Sequence, residues 1–133
     1  MKKGFVADIE SATMKNTDFR RVLYTGKYSQ LVLMSLKPKE EIGEETHDDV
    51  DQFFRFEQGE GSVVIDGMTH KVKNGSAVVV PSGARHNVIN TSATKDLRLY
   101  TIYSPPEHQD KVIRKTRAEA MAREEHYDGK PTE

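Results

Sequence analysis

Between residues 19 and 103 the chain repeats one local theme. Short runs rich in β-branched, aromatic and aliphatic side chains alternate with turns built from Gly, Pro, Asn and Asp. The runs are Phe19 to Thr25, Tyr28 to Leu36, Gln52 to Phe56, Ser62 to Ile65, Met68 to Val72, Ala77 to Val80, Asn87 to Asn90 and Leu97 to Tyr103. None is long enough to favour a helix, and each is bounded by residues that preset or permit turn dihedrals. Asp66-Gly67, between two apolar runs, is a type I′ hairpin signal, and Thr25-Gly26-Lys27 reads as a second hairpin. Such a rhythm predicts an antiparallel sandwich or barrel, an all-β fold.

The flanks differ. Phe5 to Ile9 alternate weakly and predict a short edge strand, with Glu10 to Asp18 polar and turn-like. Ser104-Pro105-Pro106 stops the last strand. Thr116-Arg117-Ala118-Glu119 has capping-box spacing, and Ala118, Met121 and Ala122 share a helical face. A short surface helix to about His126 and a frayed Asp128 to Glu133 follow from that. Length gives a single domain over residues 1–133, with a barrel core at about 28–105 and a helical tail at 106–133.

Chemistry concentrates between Glu45 and Asn90. Side chains alternate between faces on an extended strand, so Glu45 and His47 project together. By the same parity Gln52, Phe54 and Phe56 point inward, and Phe53 and Arg55 outward. A Pro81-x-Gly83 turn then delivers His86 to a strand mouth. Asp48, Asp49 and Asp51 are competing oxygen donors, since a shift of one residue would present Asp51 in place of Gln52; a solvated loop is their simpler role. His70, His108 and His126 read as surface residues. Tyr24, Tyr100 and Tyr103 could donate protons in a pocket or be buried with satisfied hydroxyls.

Gly75-x5-Pro81-x-Gly83-x2-His86-x3-Asn90 resembles the second signature motif of the cupins at every defined position. Aligned on Gly59, the first cupin motif falls on Glu45, His47 and Gln52, so glutamate stands at one histidine position and glutamine at the glutamate position. The resemblance spans roughly Leu31 to Pro105. It implies a double-stranded β-helix (jelly-roll barrel) with a short C-terminal α-helix, and a homodimer. It also implies a metal site of Glu45, His47, Gln52 and His86 that keeps one anionic ligand and holds one divalent ion, whether zinc, nickel, manganese, iron or copper.

Composition narrows the function. Twenty basic residues against 21 acidic ones leave a net charge of -1, with no global attraction for nucleic acid or anionic membrane. No stretch of about eighteen apolar residues could span a bilayer, and the start lacks the apolar segment of a secretory signal, so a cytoplasmic protein is expected. With no cysteine, only nitrogen and oxygen can ligate a metal. No serine has a Gly-x-Ser-x-Gly setting, and no Gly-rich loop matches a phosphate cradle.

The expected partner is therefore a small, oxygen-rich molecule. Resemblance to cupins of the mannose-6-phosphate isomerase-like type, and to those that ketonise unsaturated uronates, implies isomerisation or ketonisation of a sugar or sugar acid. The alternatives are a metal-dependent dioxygenase and a cupin that binds a small ligand without catalysis.

Overall fold

The computed structural model describes residues 1–133. In chain order the elements are α1 (Ile9–Lys15), β1 (Arg20–Thr25), β2 (Gln30–Leu36), β3 (Glu45–Thr46), β4 (Asp51–Gln58), β5 (Glu60–Ile65) and β6 (Met68–Lys73). They continue with β7 (Ala77–Val80), β8 (Arg85–Asn90), β9 (Leu97–Ser104), β10 (Ile113–Arg114) and α2 (Arg117–Ala122).

The strands form two antiparallel sheets, β10-β1-β2-β9-β4-β7 and β3-β8-β5-β6. This is the jelly-roll arrangement the strand rhythm predicts. Alternation decides what fills it: Val32, Met34 and Leu36 from β2, Phe54 and Phe56 from β4, and Leu97 and Leu99 from β9 meet Val63 and Val88 of the second sheet, all fully buried. Each large side chain so buried contributes about 1.5–3 kcal/mol of transfer free energy. Phe54 and Phe56 stack with ring centroids 6.3 Å apart, while Phe53 and Arg55 lie half-exposed on the other face.

Three motif residues serve the scaffold. Gly59 has a φ of +95°, and a Cβ there would lie 2.7 Å from the Asp96 carbonyl oxygen, so only glycine fits where β4 passes into β5. Asn90, fully buried, reaches from its amide nitrogen to the carbonyls of Leu36, Lys37 and Lys95 at 2.9–3.0 Å, tying two loops to the end of β8. Gly83 donates its backbone N–H to the His47 carbonyl (2.8 Å), which joins the Pro81–Gly83 turn to the loop after β3.

The flanks depart from expectation. Residues 5–8 form no strand, and residues 9–15, expected as part strand and part turn, are helical. The Asp8 carboxylate caps α1 by accepting from the Ser11 N–H (3.1 Å), Glu10 sits in its first turn and Lys15 in its last, both favourable to the helix dipole. The Arg98 guanidinium also donates to the Met14 carbonyl, holding the helix on β9.

Helix α2 does start at the Thr116 cap, whose hydroxyl accepts from the Glu119 N–H (3.1 Å), but it ends at Ala122 and buries Ala120. Ala118, Met121 and Ala122 are exposed, because β10 and the barrel take the opposite face. Nor is the tail frayed. The Glu133 carboxylate accepts from the N–H groups of Lys3 and Gly4 and from the Tyr24 hydroxyl at 2.6–2.9 Å, and Thr132 exchanges backbone and hydroxyl hydrogen bonds with Thr25.

Candidate metal centre

Strand register brings the two histidine clusters together. Glu45 of β3 lies directly opposite His86 of β8, so their side chains share a face at the barrel mouth. His47 follows one residue beyond β3, held by its carbonyl to Gly83. Gln52 enters from the other sheet, paired with Val80 on one side and Tyr103 on the other.

The donor atoms of Glu45, His47 and His86 all lie within 4.8 Å of one another. His47 Nε2 is 2.9 Å from Glu45 Oε2, but out of line for a hydrogen bond, and remains a buried nitrogen with no hydrogen-bond partner. Two donors bound at right angles at about 2.1 Å from one ion would stand about 3 Å apart. A short, misaligned contact of this kind fits lone pairs converging on a shared cation. The donor set, imidazole and carboxylate with no thiolate, suits divalent transition ions.

Each donor is aimed from behind. His86 Nδ1–H donates to the Ala84 carbonyl (3.1 Å), which fixes the tautomer and turns the Nε2 lone pair toward the site. Its Nε2 is 3.2 Å from Gln52 Oε1. The Thr101 hydroxyl donates to the Phe53 carbonyl (2.8 Å) and so must accept from the Gln52 amide N–H (3.0 Å). That relay decides the orientation of the amide: Gln52 Oε1, and not its nitrogen, faces His86. His47 Nδ1 looks toward Glu107 Oε1 at 3.7 Å.

Electrostatics follow the same geometry. Burial alone would raise the Glu45 carboxyl, but the adjacent His47 and the positive charge of Arg20 keep it below its ordinary value. The Glu45 carboxylate in turn raises His47, against the effect of burial. Burial pushes the Tyr103 phenol up, so it stays protonated beside Gln52 and keeps its hydroxyl proton to donate.

Asp51 is exposed, opposite in parity to Gln52, and its carboxylate accepts from the Ser82 N–H (2.9 Å). Asp48 and Asp49 are exposed at the loop tip, and His70 is exposed on β6. Tyr24 bonds to Glu133, and Tyr100 packs its ring against Phe53, both away from the site. His126 is a surface residue, its side chain 82% exposed. His108, expected at the surface, is buried: its Nε2 lies 3.2 Å from the Tyr103 hydroxyl and its backbone N–H donates to Gln30 Oε1 (3.0 Å). Residues 106–108 fold back over the mouth because the buried Gln30 side chain bonds to their backbone.

The mouth opens into a cavity of about 330 Å³ whose lining includes Glu45 and His47 together with a second group, Arg20, Glu107, His108 and Glu125. Local pattern misses the second group. Arg20 lies in an ordinary β-run, and the other three lie in the polar segment after the last long strand; neither place carries a motif for binding or catalysis.

A family model described as a cupin domain matches residues 32–103. The chain is similar to YrkC of Bacillus subtilis (strain 168), 46% identical over 129 residues covering 92% of this chain and 69% of that one. It is also similar to L612 of Acanthamoeba polyphaga mimivirus, 44% identical over 78% of this chain and 67% of that one. Among solved structures, BH2720 from Bacillus halodurans superposes with a TM-score of 0.88 at 40% identity, covering 91% of this chain and 96% of that one.

Proposed function

The chain belongs to the cupin family, and we propose that it is a metal-dependent cupin that isomerises or ketonises a small oxygen-rich molecule such as a sugar acid. One observation carries this reading: donor atoms of Glu45, His47 and His86, from two distant segments of the chain, lie within 4.8 Å of one another, with Glu45 and His47 lining a cavity and Gln52 Oε1 3.2 Å from His86 Nε2. Cupins commonly hold a metal and a small ligand at such a place. No helix of the chain is long and apolar enough to cross a membrane.

A divalent ion held by these residues would polarise a substrate carbonyl and stabilise the negative charge that develops when a neighbouring C–H bond breaks. The chain's own residues supply the remainder. Glu107 lines the cavity with a carboxylate that makes no hydrogen bond, and is positioned to accept a proton from carbon and return it one carbon away. Tyr103, kept protonated by burial, holds its hydroxyl 3.2 Å from His108 Nε2 and stiffens the wall. Ile42 and Phe19 exclude water from one side of the cavity.

The test is elemental analysis of protein purified without added metal, compared with a His47→Ala variant. About one equivalent of transition metal in the wild type and little in the variant is the expected result; equal content in both would remove the metal-centred reading. With metal established, loss of solvent-deuterium incorporation into a sugar acid in Glu107→Gln supports proton transfer. A ligand that binds tightly and returns without exchange would point to a binding protein, and consumption of dioxygen to an oxygenase.

A further inference from the structure

The lining of the cavity at the metal centre carries an unusual set of buried polar groups, His47 on the metal side and three residues beyond it. Seven buried side-chain polar atoms in the molecule have no hydrogen-bond partner, and four of them, Arg20 Nε, His47 Nε2, His108 Nδ1 and Glu125 Oε1, belong to residues that line this cavity. Buried polar groups are otherwise almost always paired, so their clustering on one concave surface marks a place built to receive a polar group.

Arg20 is the sharpest case. Its side chain is 9% exposed, yet its guanidinium, with five N–H donors, makes no hydrogen bond within the protein. In register, Arg20 stands directly opposite Arg114, a like-charge pair on neighbouring strands that costs stability unless an anion intervenes. Glu125 intervenes only loosely, at 3.6 Å from Arg20 and 3.7 Å from Arg114. Arg114 is otherwise satisfied, donating Nε–H to the Arg123 carbonyl (3.1 Å). Two guanidiniums thus share one carboxylate, and the surplus positive charge belongs to the residue with free donors. Arg20 lines the same cavity as Glu45, His47 and His108 and lies 3.6 Å from Glu125.

We propose that Arg20 is the specificity-determining residue of this cavity and binds the carboxylate of a small hydroxy- or oxo-acid, whose neighbouring oxygen faces Glu45, His47 and His86. The second half of that arrangement rests on the metal-centred reading above; the carboxylate subsite does not. Guanidinium and carboxylate match in a two-point fork that an uncharged polyol cannot reproduce. Glu125 is then an internal competitor for the same guanidinium. Removing its charge and removing that of Arg20 should have opposite effects on ligand binding.

The test titrates L-malate and, separately, glycerol into zinc-loaded full-length protein by calorimetry, with Arg20→Gln and Glu125→Gln as variants. Wild type should bind malate in preference to glycerol. Arg20→Gln should weaken malate by about ten- to a hundredfold, the value of a charged hydrogen-bonded contact, and Glu125→Gln should tighten it severalfold. Malate affinity unchanged in both variants, or glycerol bound as well as malate, would overturn the proposal. If the wild type takes up no zinc, the same titration on metal-free protein decides: Arg20-dependent malate binding supports the subsite, and no malate binding rejects it. Should Arg20→Gln fail to fold, Arg20→Lys, which keeps charge without the fork, and Glu125→Gln replace it: weaker malate binding in the first and tighter binding in the second support the subsite, and no change in either rejects it.

Discussion

Replacing Gln52 by glutamate should lower the stability of the metal-free protein and raise that of the metal-loaded one. Gln52 is 3% exposed, its Oε1 is 3.2 Å from His86 Nε2, and its amide nitrogen donates to Thr101. Without metal, a second buried carboxylate near Glu45 meets repulsion of about 4 kcal/mol for unit charges 4 Å apart at an effective dielectric of 20. Part of that is relieved by proton uptake, leaving a net cost of about 2–3 kcal/mol. For a domain of this size the melting temperature would fall by about 8–12 °C. With a divalent ion bound, the added charge attracts instead of repels, and affinity should rise at least about tenfold, or 1.4 kcal/mol. Because ligand bound only to the folded state adds stability by mass action, the gap between chelated and zinc-loaded melts must widen in the variant. Differential scanning fluorimetry with chelator and with zinc, plus competition against a chromophoric chelator, measures both quantities. Parallel shifts in the two melts, or unchanged zinc affinity, would show that position 52 does not face the ion and refute the reasoning.

Three further outcomes follow from particular contacts. Thr101→Val keeps shape but leaves the Gln52 amide N–H and the Phe53 carbonyl without their shared hydroxyl; it should cost about 2 kcal/mol or more in urea denaturation and weaken metal binding, and unchanged zinc affinity would disprove the orienting role. Gly59→Ala forces a Cβ to within 2.7 Å of the Asp96 carbonyl at a φ of +95° and should cost about 1–3 kcal/mol; a neutral result would mean the crossing relaxes freely. The third concerns acid. Burial holds His108 below its ordinary 6.5, and Glu125 lies below its ordinary 4.5, where the His108 contact and the charge of Arg20 outweigh burial. Below pH 6.5 the unfolded chain takes up the His108 proton first, so this stability is full above that pH and lost on acidification, with the Glu125 part lost below 4.5. His47, raised, acts with the opposite sign, so the informative quantity is the difference between wild type and His108→Gln in metal-free protein. The variant should lose less stability between about pH 6.5 and 5; an identical slope would contradict the burial of His108.

Much of the barrel is legible locally because its rules are local. Period-two alternation alone puts Gln52, Phe54 and Phe56 on one face, and the structure buries all three and leaves Phe53 and Arg55 half-exposed. Asp66-Gly67 forms its tight turn with both residues at positive φ. The spacing of Glu45, His47, Gln52 and His86 likewise locates four groups that strand register then brings together. Where reading along the chain goes astray, a remote contact contributes: α1, capped locally by Asp8, is held by Arg98 far along the chain, and Glu133 is pinned by Lys3, Gly4 and Tyr24.

The other side of the cavity belongs to the tertiary structure alone. Arg20, Glu107, His108 and Glu125 come from opposite ends of the chain and have no spacing to detect. They meet because β1 pairs with β10 and because Gln30 anchors residues 107 and 108 over the barrel mouth. Sequence by itself determined the strands, the turns and the donor types, since backbone sterics and side-chain alternation act within a few residues. Which charges would face one another across 330 Å³ was decided only on folding, because the interaction of charges depends on distance through space and the dielectric between them, neither of which exists until the sheets close.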